Sequence, residues 1–101
     1  MTTNLTEKEF SKHVGTKFQT AIDEREIQLE LTEVKGYLPG ENEQHGMERF
    51  SVFFEGPGDI KLPQQTLRLQ HEQMGEIFLF LVPISVNEKV FRYEAVFNYY
   101  K

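Results

Sequence analysis

The stretch "GEIFLFLVPI", residues 75–84, decides how the chain is read. Nothing between Glu76 and Ser85 is charged. In a strand, successive side chains point to opposite faces. Ile77, Leu79 and Leu81 therefore share one face, and Phe78, Phe80 and Val82 share the other. A strand of an antiparallel sheet commonly keeps one face in water and alternates apolar with polar. This one does not, so it is expected to be central and covered on both sides.

The remaining segments do alternate. Ile27, Leu29 and Leu31 point one way in "EIQLELTEVKGY", and Val34 falls one residue out of step, which predicts a β-bulge near Thr32–Glu33 or the end of the strand. Phe50, Val52 and Phe54 point inward from "MERFSVFFEGPGD", with Phe53 the apolar exception outside. Gly56-Pro57-Gly58-Asp59 is expected to stop that strand. Phe18 and Ile22 share a face in "TKFQTAI", as do Leu67 and Leu69 in "TLRLQHE". In "KVFRYEAVFNYY", Phe91, Tyr93, Ala95 and Phe97 line one face. "LPGENEQHG", 38–46, reads as a polar loop, and Val86-Asn87-Glu88 as a turn.

A short helix precedes the strands. Thr6 and Glu9 form a capping box, and Leu5 with Phe10 forms the accompanying hydrophobic staple. Phe10 and Val14 lie four apart on one face, and Gly15 suits a left-handed stop. The reading is an all-β domain with minor α content. It has a helix at about 6–14 and six antiparallel strands at about 16–22, 26–35, 47–55, 66–72, 76–83 and 89–98. They form a small sandwich or a partly closed barrel. One domain, 1–101, fits a chain of 101 residues.

Three covers are available for Phe78, Phe80 and Val82. They are the helix, with Leu5, Phe10 and Val14; a bent or closed sheet, with Phe53 and Val96; or another chain. Burying one such side chain contributes roughly 1.5–3 kcal/mol. The helix has two turns and few apolar residues, enough to cap a barrel end but not to cover the strand. Cover from within the chain is the expectation, and a contribution from a partner is the alternative.

Composition narrows function. Eleven basic and sixteen acidic residues give a net charge of −5. Nucleic-acid backbones are bound by clustered Lys and Arg, so nucleic acid is not an expected partner. No apolar run approaches the roughly 20 residues of a membrane helix, so no membrane partner is expected. "MTTNLTEKEF" lacks a secretory layout, which makes cytoplasmic the expected compartment. Cysteine is absent, so thiolate chemistry and disulfides do not arise.

Motifs for catalysis are missing. His13, His45 and His71 are not at paired metal-ligand spacing. His71, Glu72 and Glu76 could meet across a turn, but a metal site needs three or four convergent ligands, and no metal or other cofactor is expected. Ser51 alternates outward and reads as a solvated strand residue; no serine lies in a nucleophile elbow. Glu24/Glu26 and Glu41/Glu43 read as solvated carboxylates, and Arg92 and Glu94, on one face of one strand, as exposed partners in cross-strand pairs with neighbouring strands, with a polar contact inside an interface as the alternative.

"RFSVFFEGP" (49–57), "LPQQTLRLQHEQMGEIFLFLVPI" (62–84) and "RYEAVFN" (92–98) behind a leading helix resemble a family of small bacterial domains of unknown function. The resemblance implies no catalytic residues. It implies an accessory or assembly role beside phage-tail-like or tail-collar proteins.

The functional expectation is a non-enzymatic interaction or assembly module that meets a protein partner or its own copy. Phe78, Phe80 and Val82 are the expected contacts, then Phe53, Tyr99 and Tyr100. A barrel binding a small apolar ligand is the alternative, and a hydrolase with an unrecognised site the weakest.

Overall fold

The computed structural model describes residues 5–36, 47–86 and 89–100, with side chains for all of these except 47, 48, 86 and 98–100. The expected loop at 38–46 lies outside the described residues, as does most of the turn at 86–88. One helix, α1 (Glu7–Ser11), precedes β1 (Lys17–Ile22), β2 (Arg25–Gly36), β3 (Met47–Pro57), β4 (Gln65–His71), β5 (Gly75–Val86) and β6 (Val90–Tyr100). All pairings are antiparallel, and the strands close into a barrel in the order β1-β2-β3-β6-β5-β4.

Local chemistry accounts for the joints. β1 and β2 are linked by a two-residue hairpin with Ile22 opposite Arg25, and Asp23 and Glu24 both take positive φ, 50° and 68°. These are the dihedral signs of a type I′ turn, which follows the right-handed twist of the strands. β4 and β5 are joined through Glu72-Gln73-Met74, and Gly75 at φ 76° closes the pair with His71. The predicted bulge is present. The β2–β3 register shifts between Leu31 and Glu33, and the Thr32 hydroxyl donates to the Phe53 carbonyl at 3.2 Å.

Outside β5 the inward residues are those the alternation gave; in β5, where alternation left both faces apolar, Ile77, Leu79 and Leu81 are the inner ones. Phe18, Ile27, Leu29, Leu31, Phe50, Val52, Phe54, Leu67, Leu69, Ile77, Leu79, Leu81, Tyr93 and Ala95 form one buried cluster. Phe18 meets Phe54 edge-on with centroids 5.3 Å apart. Tyr93 keeps its phenol buried by accepting the Leu62 N–H at 3.0 Å.

α1 plugs one barrel end. Phe10 packs on Phe50 and Phe97, with centroids 6.0 and 5.4 Å apart. The Thr6 hydroxyl accepts the Glu9 N–H at 3.1 Å, as the capping box requires.

Several expectations need correction. The helix stops at Ser11, not at 14, because the Gly15 N–H is taken by the Leu31 carbonyl (2.7 Å), which pulls the chain into the sheet. Val14 consequently points to solvent instead of sharing the buried face of Phe10. β3 runs through Gly56 and Pro57, which pair with Phe91 and Val90. A Cβ at position 56 would lie 2.7 Å from Leu29 and 3.3 Å from Tyr93, so that glycine is a packing requirement and not a stop. Ser51 is fully buried, not solvated.

Candidate functional site

The outer face of β5 departs most from expectation. A closed barrel has one inside, and Ile77, Leu79 and Leu81 fill it. Phe78 and Phe80 are left 59% and 51% exposed, so the described chain covers only about half of each. The expected two-sided cover from within is not there: α1 sits over the barrel end and touches β2 and β3. Val96 on β6 is 63% exposed, and Ile84 at the β5–β6 register shift also points outward.

The rest of this surface follows from register. Val82 lies opposite Glu94, and Glu94 lies opposite Phe53, so this carboxylate stands between two partly buried apolar side chains. The Arg92 guanidinium sits 4.5 Å over the Phe53 ring and pairs with Glu33 at 2.6 Å. Arg92 thus finds its carboxylate on Glu33 of β2, on the far side of β3. Arg68, opposite Phe78, pairs with Glu76 at 3.3 Å. Tyr99 and Tyr100 lie on β6, but their side chains fall outside the described residues.

A second cluster lies by the plugged end. His71 is buried; its Nδ1 accepts the N–H groups of Gln73 (3.0 Å) and Met74 (3.1 Å). That nitrogen must be unprotonated, so Nε2 carries the hydrogen and donates to the Thr16 hydroxyl at 2.9 Å. Thr16 in turn donates to the His13 carbonyl at 2.6 Å. The His13 and His71 rings are 4.7 Å apart, and Phe18 packs on His71 at 4.3 Å. Burial pushes the His71 pKa below the ordinary value and His13 adds to the effect, while Glu72 opposes it. His13 is itself buried, with a long 3.4 Å contact to Glu9.

The chemistry of this cluster is structural. The Thr16 hydroxyl is already held by a carbonyl and an imidazole, and the His71 lone pair is already shared by two amides. Its hydrogen bonds tie the β4–β5 turn to the start of β1. His71, Glu72 and Glu76 do not converge: Glu76 turns to Arg68, and no group of three metal-ligating side chains occurs among the described residues. Long sequence separation hid the His13–Thr16–His71 contact.

A family model described as "Domain of unknown function (DUF6916)" matches residues 5–97. The chain belongs to the DUF6916 family. The match runs from the helix through nearly all of β6, so this DUF6916 chain carries both the barrel and the exposed face within the family's span. No curated protein and no solved structure matches it. No helix among the described residues is long and apolar enough to cross a membrane.

Proposed function

We propose that this DUF6916 domain is a non-enzymatic assembly module whose outer β5–β6 face packs against a second copy of the chain. The carrying observation is the exposure of Phe78, Phe80 and Val96 on one wall of an otherwise well-buried barrel. Two half-exposed phenylalanines with Val96 and Ile84 leave roughly 300–400 Å² of apolar surface, taking about 200 Å² for an aromatic side chain. A specific interface buries about 800 Å² per partner. The patch is thus the right size for the apolar core of one, with Arg68, Glu76 and Glu94 as a polar rim.

Local charge favours the same occupant. The chain carries −5 overall, but both arginines beside the patch are paired to carboxylates of the same chain. Two copies can meet there without facing unpaired arginines. Phe53 and Val82 would flank the contact. Accessory service to a phage-tail-like structure in a bacterium is the setting this reading suggests. The apolar-ligand alternative has less support, because side chains fill the barrel: even a methyl at Gly56 would meet Leu29 and Tyr93.

The chain has no cysteine, so a single introduced thiol reports on proximity. Val96→Cys is expected to form disulfide-linked dimers much faster than Gln28→Cys, an exposed control on β2. Equal, slow crosslinking of both variants would contradict the reading.

A further inference from the structure

The barrel is closed unevenly. β3 and β6 pair along their whole length, from Met47↔Tyr100 to Pro57↔Val90. β1 and β4 are joined by the single pair Gln19↔Gln70. On one side of that pair the seam is held by Thr16, His71 and Phe18. On the other side it opens into a groove of about 660 Å³ between Thr20–Asp23 and Gln65–Arg68.

Backbone alternation says what the groove presents. In an antiparallel ladder, residues whose N–H and C=O groups bond one neighbouring strand alternate with residues facing the other. Ile22 and Arg25 close the two-residue β1–β2 hairpin, so Ile22 and Thr20 bond to β2. Gln19 and Ala21 then face β4. His71 and Gly75 close the β4–β5 turn, so Leu69 and Leu67 bond to β5, and Gln70, Arg68 and Thr66 face β1. Gln19 and Gln70 use this orientation to pair. Among the described residues, Ala21, Arg68 and Thr66 have no ladder partner across the seam. Two strand edges therefore face each other without a ladder between them.

We propose that the open half of this seam takes up an extended, basic peptide segment as an added strand. Strand addition draws affinity from main-chain hydrogen bonds and selectivity from alternate side chains. Inward-pointing residues of the guest would meet Leu67 and Ile22, which calls for small apolar side chains. Outward-pointing residues would pass Asp23 and Glu26 on the β1–β2 wall, while Arg68 on the other wall is already paired to Glu76. The uncompensated charge of the groove is negative, so the guest is cationic. This site uses the β1–β4 side of the barrel and does not depend on the pairing of two copies.

A heptapeptide alternating Lys and Val is the probe, read by amide exchange and chemical-shift changes in the full chain. The expected result is fast exchange at the Ala21, Thr66 and Arg68 amides in the free protein and protection of the same amides at saturation. Replacing two Val by Pro, which cannot donate to a ladder, should abolish the effect. Glu26→Arg should weaken the Lys peptide by roughly two- to fivefold, the scale of an exposed charge pair, and favour an alternating Glu–Val peptide instead. Native mass is measured alongside to read self-association separately. The inference is overturned if those amides are already protected in the free chain, or if the peptide shifts other residues instead.

Discussion

The two faces of β5 carry nearly the same chemistry and meet opposite fates. Ile77, Leu79 and Leu81 are buried in the barrel; Phe78 and Phe80, one residue away in each case, stand in solvent. Hydrophobicity alone does not place a side chain. Alternation assigns it to a face, and barrel closure then makes one face the core and the other the outside. The inner residues answer to the fold. The outer ones keep half or more of their surface exposed and are available for contact.

That contrast yields predictions of graded size. Leu79→Ala should cost about 2–5 kcal/mol of stability, as large-to-small changes in a packed core do, read by denaturant unfolding of a monomeric background such as Phe80→Ser. A cost below about 1 kcal/mol would mean the inner face is not the core. Phe80→Ser, on the outer face, should change the stability of the isolated chain by no more than about 1 kcal/mol while abolishing self-association. A large loss of monomer stability instead would place Phe80 in the fold's own packing.

The His71 turn gives a pH test. Its folded pKa is lowered from 6.5, so the native state holds fewer protons on this site than the unfolded chain does. Its share of stability is complete above pH 6.5 and is lost as pH falls through 6.5 toward the folded value. Asn at 71 can still accept the two turn amides but does not titrate. His71→Asn should therefore flatten the decline of melting temperature over that window, with His13, Glu9 and Glu72 left in place; an unchanged slope would contradict the assignment. The smallest effect belongs to the β1–β2 turn. Glu24 at φ 68° adopts a conformation that glycine enters without strain. Glu24→Gly should stabilise by about 0.5–1 kcal/mol, seen as a rise in melting temperature.

Much of the fold was legible in residue order. Period-two alternation located six strands and, outside β5, their inner faces, and the slip at Val34 located the bulge. Closure was not legible, because the β1–β4 contact is a single pair between residues 51 positions apart, Gln19 and Gln70. The same blindness to long-range contact explains the misread Ser51 and the unforeseen packing of His13 against His71. Of the site residues, Phe53 could be placed on the outer face by parity; parity put Phe78 and Phe80 on one face together but could not say which face of β5 was the outer one. That required knowing that α1 docks over the barrel end, held by Phe10 between Phe50 and Phe97.

The most direct test of the assembly reading is the native mass of the full chain by light scattering after size exclusion, across a tenfold dilution. The account predicts the mass of two chains, shifting toward one only on dilution, and the mass of one chain throughout for Phe80→Ser. A mass of one chain for the wild type at every concentration would contradict it.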